Sequence, residues 1–291
     1  MSTVIRAAGP ADVDAICTLL HSKMNSKFPV ERWRRLMSYP WLEDKPDYGV
    51  VVESDGRILG YTGLIYSERM IGDEQRGFRK ERFASMSSWY LDKSLRGRGL
   101  GKGMLLATME DTSLTYTIFT NSSKPIGIVK ALGYQVLDDR RYHWHRSGAA
   151  SSALVLTRDI DGIRERATAV QRQILDDMQI MPVTPIFLEI DGREALLFLS
   201  IKSKGEDVQW YDLLYTSDAD LFTDCAPLLA NSLLPDTPSV LAADSRLIRT
   251  PPADTICELL PVERHFLSQS VEPRDIDFLY SELQLLDLKL D

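Results

Sequence analysis

This sequence of 291 residues has few cysteines and no excess of positive charge. Its three cysteines, Cys17, Cys225 and Cys257, are far apart and lack the spacing of a zinc or Cys-x-x-Cys redox site. Their number and spacing argue against a disulfide framework and predict reduced thiols, as in cytoplasmic proteins. The net charge of −8 argues against nucleic acid as a partner, because a phosphate backbone favours basic surfaces.

Long apolar segments are also missing. No run approaches the ~18 apolar residues of a membrane helix. Residues 1–10 have neither the basic region nor the apolar region of a signal peptide. These absences predict no membrane partner and a cytoplasmic location. The length suggests about two domains, and 44% hydrophobic with 26% charged residues is ordinary for a globular protein.

Glycine is sparse in most of the chain, yet four glycines lie within residues 96–103, Arg-Gly-Arg-Gly-Leu-Gly-Lys-Gly. A predicted strand ends just before this segment, and a predicted helix continues from Met104. A strand, a glycine turn and a helix make an anion site, because first-turn N–H groups can point at a phosphate. Residues 92–103 carry four cations and one acid, which favours a small polyanionic cofactor.

The glycine spacing excludes two common phosphate loops. A Walker loop has four residues between its first glycine and the Gly-Lys-Ser/Thr, whereas Gly97 and Gly101 are separated by three. A G-x-G-x-x-G dinucleotide motif begun at Gly97 ends at Lys102, and one begun at Gly99 ends at Met104. Both nucleoside-triphosphate hydrolysis and dinucleotide binding are therefore disfavoured.

The spacing R-x-x-G-x-G, at Arg96, Gly99 and Gly101, resembles that of the GNAT superfamily of acyl-CoA-dependent acyltransferases. The order of predicted elements over residues 1–146 is also that of the family: strand, two helices, three strands, helix, strand, helix, two strands. The resemblance implies an α/β fold of the α+β type with a mixed sheet, acetyl-CoA as co-substrate and no metal. It implies acetyl transfer to an amine or hydroxyl of a small-molecule or sugar acceptor. The alternative is a non-catalytic acyl-CoA-binding or scaffold protein.

The resemblance also implies roles for individual residues. The backbone N–H of Leu91 would hold the thioester oxygen, and Trp89 would lie on the same strand beside the pantetheine arm. Asn121 stands near the asparagine that often ends the next strand in the family. The pyrophosphate would bind the backbone of the loop, at Arg96, Gly97, Arg98, Gly99, Gly101 and Lys102.

One position departs from the family pattern. The tyrosine that often lies four residues before a Gly-Phe/Tyr pair is replaced by Val129, before Gly133 and Tyr134. The usual general acid is therefore missing from its usual place. Tyr142, Ser122, Ser123 or a water molecule are candidate substitutes, although a thiolate is a good leaving group without an acid.

Candidates for a general base are histidines and acids. His143 and His145 are predicted on one face of a strand, where a neutral imidazole could deprotonate an acceptor. Two half-exposed strand histidines without a catalytic role give the same pattern. Asp92 and Glu53 are further candidates. Residues 32–41 combine three arginines with three aromatics, which suits a sugar or anionic acceptor but also a packed helix end.

The second half repeats the element order after a small, polar linker at 147–152. A hairpin around 191–193 matches the hairpin turn at 55–57, and a helix is predicted over 160–178. The predicted domains are 1–147, with the phosphate loop, and 148–291, a degenerate GNAT-like domain.

The second domain is expected to lack a coenzyme A site. Residues 216–220, which follow its long strand, contain two acids and no glycine, and acids would repel a pyrophosphate. Residues 280–286 are predicted as a closing strand. This segment and residues 88–90 also resemble GNAT proteins encoded with bacterial surface-polysaccharide enzymes, which implies an amino-sugar acceptor.

The two halves make a prediction about stoichiometry. Because only the first half has a phosphate loop, titration calorimetry with coenzyme A should give one site per chain. Two equivalent sites would contradict the interpretation of residues 216–220.

Overall fold

The computed structural model describes residues 3–72, 76–120, 122, 126–205, 207–253 and 255–290. The chain forms two compact units. Unit 1 comprises the residues up to Gln135, Arg264–Asp275 and Tyr280–Leu288, and unit 2 comprises Val136–Glu263, Ile276–Leu279 and the residues from Lys289. The predicted domains 1–147 and 148–291 are a different division and stay a prediction.

The elements of the first half are β1 (Thr3–Ala7), α1 (Val13–Lys23), α2 (Val30–Arg34), β2 (Val50–Ser54), β3 (Arg57–Ile71), β4 (Arg79–Leu91), α3 (Leu100–Thr108), β5 (Thr115–Ile118), α4 (Ile126–Ala131) and β6 (Gln135–Trp144). Those of the second half are β7 (Val155–Thr157), α5 (Ile160–Arg166), α6 (Ala169–Asp177), β8 (Thr184–Ile190), β9 (Arg193–Lys204), β10 (Val208–Thr216), α7 (Ala219–Leu233), β11 (Ser239–Asp244), β12 (Ile256–Leu267) and α8 (Glu282–Leu285). In the part of the chain that the structure describes, no helix has the length and apolar character needed to cross a membrane.

The same series of strand pairings occurs in both units. In unit 1, β1 to β4 pair antiparallel in sequence, β4 pairs parallel with β5, and β5 pairs antiparallel with the end of β12. In unit 2, β7 to β10 pair antiparallel in sequence, β10 pairs parallel with β11, and β11 pairs antiparallel with β6. The predicted internal repeat therefore exists in the strand pairings.

Both predicted hairpin turns are confirmed. Asp55 and Gly56 have φ angles of 49° and 76°, and Asp191 and Gly192 have φ angles of 51° and 76°. Two consecutive residues with positive φ form the turn that suits the right-handed twist of a hairpin, and Asp-Gly is a favoured pair there.

The prediction of two strands at 134–137 and 142–145 was wrong, because β6 is continuous. Two of the charged residues between them, Asp138 and Arg141, are buried and paired with Arg246 and Asp244, whereas Asp139 and Arg140 pair with each other at the surface. Asp138 accepts a hydrogen bond of 2.8 Å from the backbone N–H of Arg246. The Nε of Arg141 donates to Oδ1 of Asp244 at 2.8 Å. A strand can thus contain buried charges when each one is paired.

Two other predicted elements differ from the structure. The helix predicted over 160–178 is two helices, because Thr168 starts α6 with a capping box in which its Oγ1 accepts from the Gln171 N–H. The segment 280–286 contains the short helix α8, Glu282–Leu285, instead of a strand. All residues of this segment are buried, so it has no exposed polar face. The sequence therefore lacks the alternation of apolar and polar positions by which a helix is identified.

The two central strands of unit 1 diverge. The parallel pairing of β4 with β5 covers only Phe83 to Ser85, opposite Thr115 to Thr117, while β4 continues to Leu91. A bulge follows the last paired residue, since two residues of β4 face one residue of β3, and Ser88 within it has a φ of 53°. Among the described residues, no strand pairs with the β5-facing edge of β4 beyond Ser85, which leaves this edge to a ligand.

Strands β10 and β11 of unit 2 also stop pairing, after Asp212, and β10 has a bulge at Leu214. Here the chain itself occupies the free edge. The N–H of Phe278 donates to the carbonyl of Leu214 at 2.9 Å, and Nε of Arg246 donates to the carbonyl of Ile276 at 2.7 Å. Because the Phe278 side chain is fully buried, these residues close the opening in this unit.

Removing the Phe278 ring should destabilise unit 2 strongly. We expect Phe278→Ala to lower the free energy of unfolding by about 3–5 kcal/mol, the usual cost of a cavity left by phenylalanine. Urea denaturation would measure it. Phe78→Ala, at a side chain that is 55% exposed, is the control and should change the value by less than about 0.5 kcal/mol. An equally small change in the free energy of unfolding for both variants would contradict the proposal that Phe278 fills the opening between β10 and β11.

Candidate functional site

The predicted phosphate loop lies between β4 and α3, as expected. Gly97 and Gly99 have φ angles of 80° and 77°, which side chains other than glycine rarely adopt. Gly99 is the N-cap of α3 and offers no side chain to cap the helix. The first free N–H groups of α3 are therefore available to an anion, with exposed Arg98 and Lys102 beside them.

Two side chains fix the shape of the loop. Asp92 accepts hydrogen bonds from the backbone N–H and the hydroxyl of Ser94, at 2.9 and 2.7 Å. These bonds lower the pKa of the Asp92 carboxyl. The carboxylate therefore caps the turn at Ser94, and one of its oxygens is already hydrogen-bonded to that residue. Arg96 donates from Nε to the carbonyl of Leu91 at 2.9 Å. The loop is thus tied back to the end of β4.

Helix α3 lies close to the sheet through its other glycines. A Cβ on Gly103 would lie 2.8 Å from Cδ1 of Ile5, so a larger residue would push the helix away. A Cβ on Gly101 would contact Trp89 at 3.6 Å, which places this indole beneath the first turn of the helix.

The backbone of Leu91 faces away from β3. Asp92 donates its N–H to the carbonyl of Leu59 at 2.8 Å, and the neighbouring pair, Leu91 and Gly60, is therefore of the non-hydrogen-bonded kind. In such a pair both backbone groups point outward. The N–H of Leu91 consequently faces the opening between β4 and β5.

The helix that follows β10 in unit 2 has a closed N-terminus. Asp218 caps α7, and its Oδ1 accepts a hydrogen bond of 2.8 Å from the N–H of Leu221. A carboxylate already occupies the place where an anion would bind, and its charge would repel a phosphate.

The position of the missing tyrosine is part of the core of unit 1. Val129 is fully buried in a cluster with Leu105, Tyr116 and Tyr134. Burial raises the pKa of Tyr116 to about 12 and also raises the pKa of Tyr134. Asn121 and Ser123, both named from the sequence, lie outside the described residues.

Tyr142 and His143 belong to unit 2, on β6. The Nε2 of His143 lies 3.2 Å from Oε2 of Glu258, and its ring meets the ring of Trp210 edge to face at 5.0 Å. Burial lowers the pKa of His143, and the nearby Glu258 carboxylate opposes that shift in part. The expectation that His143 and His145 share a strand face was wrong, because β6 ends at Trp144 and His145 is exposed.

Several residues of segment 32–41 hold the C-terminal segment of unit 1, residues 280–288. Arg32 donates to the carbonyls of Leu286, at 2.8 Å from Nε, and Asp287, at 3.1 Å from Nη2. Trp41 meets Tyr280 edge to face with ring centroids 5.3 Å apart. Arg32 and Trp41, two of the residues noted in the sequence, therefore fix a distant part of the chain.

This C-terminal segment brings a carboxylate that the sequence analysis did not identify. Oε1 of Glu282 accepts a hydrogen bond of 2.6 Å from Thr120, just after β5, and Oε2 accepts one of 3.2 Å from Ser85 on β4. Burial raises the pKa of the Glu282 carboxyl, and the bonds from Thr120 and Ser85 offset that shift in part. No local signal in the sequence could have placed Glu282 beside two strands that lie more than 150 residues earlier.

Comparisons with known proteins agree with this architecture. Residues 13–116 match the model of the acetyltransferase (GNAT) family. A comparison with curated proteins gives no match.

Solved structures show the same fold over most of the chain. A GCN5-related N-acetyltransferase from Anabaena variabilis has a TM-score of 0.57 at 8% identity, over 91% of this chain and 72% of that one. One from Kribbella flavida has a TM-score of 0.53 at 11% identity, over 91% and 71%. Eis1 from Mycobacterium abscessus has 0.50 at 13% identity, over 91% and 73%. These likenesses confirm the mixed-sheet GNAT fold, and their coverage includes most of the second half.

Proposed function

Because the N-terminal half of this chain carries a domain of the GNAT acetyltransferase family, we propose that the protein transfers an acetyl group from acetyl-CoA to an acceptor. The acceptor is an amine, or a hydroxyl, of a small molecule or sugar. The free thiols of buried Cys17 and Cys225 suit the cytoplasm, where the reaction is proposed to occur.

The open N-terminus of α3 is the observation that carries this proposal. The turn formed by Gly97 and Gly99 leaves the first N–H groups of α3 without acceptors in the described part of the chain, and Arg98 and Lys102 add positive charge to an acidic protein. A pyrophosphate needs such donors and such charge. The loop residues from Arg96 to Lys102 are therefore proposed to hold the pyrophosphate of coenzyme A.

The free edge of β4 supports the next part of the site. A pantetheine arm carries amide groups, which can bind the backbone of a strand edge as another strand would. Trp89 would pack along the arm, and the N–H of Leu91 would hold the thioester oxygen. A preorganised donor at that oxygen stabilises the charge that develops when the acceptor attacks.

The proposed reaction is a direct attack by the acceptor on the thioester carbonyl. The C–N or C–O bond forms as the C–S bond breaks, and the sulfur leaves with the bonding electrons and then takes a proton. Val129 cannot supply that proton, so Tyr142 is proposed as a dispensable donor, and His143 stays a proposed participant. The proposal of an amino-sugar acceptor rests only on the resemblance of residues 88–90 and 280–286 to GNAT proteins encoded with bacterial surface-polysaccharide enzymes.

One coenzyme A per chain is proposed, bound by unit 1. In unit 2 the chain's own residues Ile276 to Leu279 lie against β10, and Asp218 caps the helix that would otherwise bind the phosphates. Both features oppose a second site.

A non-catalytic acyl-CoA-binding protein is the second candidate. The buried Val129, in place of a tyrosine acid, favours it. Tight binding of acetyl-CoA without turnover of any amine or sugar would establish this candidate over the first.

Loss of the phosphate loop should abolish the response to acetyl-CoA. The ligand should raise the melting temperature of the wild type by mass action. Arg96→Ala with Gly99→Asp should remove the shift, because the aspartate places charge against a phosphate. Differential scanning fluorimetry with acetyl-CoA measures both.

The control for that variant is Arg193→Ala with Gly192→Asp. Gly192 has a φ of 76°, against 77° at Gly99, and a Cβ would meet open space at both. The backbone strain and the change of charge are thus matched. The control should keep the full rise in melting temperature with acetyl-CoA. A folded loop variant with the same rise as the wild type would overturn the proposed site.

Proton delivery to the leaving thiolate should not depend on Tyr142. We expect Tyr142→Phe to lower kcat only a few-fold, whereas loss of a positioned general acid costs about 10²–10⁴. The assay is release of coenzyme A with an active acceptor over a range of pH. A loss above about a hundredfold, with acetyl-CoA binding intact, would instead make Tyr142 the acid.

A further inference from the structure

Unit 1 contains a cluster of polar side chains at the point where β4 and β5 diverge. Ser85 and Thr117 are the last paired residues of the two strands, so their side chains lie on one face of the sheet. Glu282 bonds to Ser85 from one side and to Thr120 from the other. We call Ser85, Ser87, Thr117, Thr120 and Glu282 the fork pocket.

Two hydroxyls of the fork pocket have no hydrogen-bond partner among the residues that the structure describes. They are Oγ of Ser87 and Oγ1 of Thr117, and both side chains are buried. Buried hydroxyls in proteins almost always have a partner. Oγ of Ser87 lies toward β3, since a Cβ on Gly63 would lie 2.5 Å from it. Thr117, in contrast, is paired with Ser85, which bonds to Glu282. An unpartnered hydroxyl beside a buried carboxylate fits a polar ligand or an ordered water.

The fork pocket lies along the same strand as the proposed thioester position, since Ser85 comes six residues before Leu91. The bulge at Ser88 shortens the path between them, because two residues of β4 face one residue of β3 there. A hydrogen bond spans only ~2.8 Å, so ordered water molecules along the free edge of β4 would connect an acceptor nitrogen at the thioester to the Glu282 carboxylate.

We propose that Glu282 is the general base that deprotonates an ammonium acceptor in the fork pocket. This inference rests on the proposed function. One proton passes from the ammonium to the carboxylate through the intervening water. The nitrogen lone pair then forms the C–N bond while the C–S bond breaks, and the thiolate takes the second nitrogen proton.

The position of Glu282 is fixed by contacts that leave its carboxylate oxygens to the fork pocket. Ser281 caps α8, and its N–H donates to Oε1 of Gln284 at 3.1 Å. Arg32 holds the other end of the segment through the carbonyl of Leu286. A side chain held at both ends of its helix is preorganised, as a catalytic group must be.

The experiment compares two small probe amines, ethylamine and hydroxylamine, with acetyl-CoA as donor. At neutral pH ethylamine is an ammonium ion and needs a base, whereas hydroxylamine is largely uncharged and does not. Release of coenzyme A is followed with a thiol reagent, and the uncatalysed rate is subtracted. Acetyl-CoA binding to each variant is measured by calorimetry.

Glu282→Gln should lower the rate with ethylamine by about 10²–10⁴-fold and the rate with hydroxylamine by only a few-fold. Glu282→Asp keeps the carboxylate and should retain more of the ethylamine rate than Glu282→Gln. The matched control is Glu272→Gln, at an exposed glutamate of the same unit, and it should change neither rate.

The outcomes separate the two proposals. An ethylamine rate that Glu282→Gln leaves near the wild-type value would overturn the role of Glu282. So would an equal loss with both amines in variants that still bind acetyl-CoA, because that pattern marks a structural role. Wild-type protein that binds acetyl-CoA but releases nothing with either amine would also overturn it. Wild-type protein that does not bind acetyl-CoA would overturn the proposed function itself, and this inference with it.

Discussion

The separation of β4 from β5 after Ser85 and Thr117 is the constraint on which the rest of unit 1 depends. Three paired residues hold the strands together, and the bulge at Ser88 then turns β4 away. The separation frees a strand edge for hydrogen bonds and leads it to the open N-terminus of α3. A sheet paired along its full length would offer no such edge, since its backbone groups would already be satisfied.

A buried carboxylate at such a place is costly unless something requires it. Desolvation disfavours the charged form of Glu282, and the hydroxyls of Thr120 and Ser85 offset only part of that cost. The surrounding residues nevertheless hold it in place, through Arg32 at one end of the segment and Trp41 at the other. Costly polar groups that a fold holds in one position are typical of functional sites.

The two units show how one architecture can gain or lose an anion site. Each has a parallel strand pair, a bulge and a following helix. In unit 1 the helix begins at Gly99, which leaves its N–H groups free, and in unit 2 it begins at Asp218, which binds one of them. In unit 2, Phe278 also bonds to the edge of β10. A single capping residue and a short segment of chain account for the difference.

The sequence alone determined the features that depend on neighbouring residues. The phosphate loop, both Asp-Gly hairpins and the repeated order of elements follow from local chemistry, because glycine and turn residues restrict their own backbone. The sequence did not determine that β5 pairs with β12, that β11 pairs with β6, or that residues 280–288 bring Glu282 to Ser85. Those contacts join residues up to about 200 positions apart, and local propensity carries no information about a partner so distant. Only tertiary packing, which buries α8 and pairs its one carboxylate with two hydroxyls, decided them.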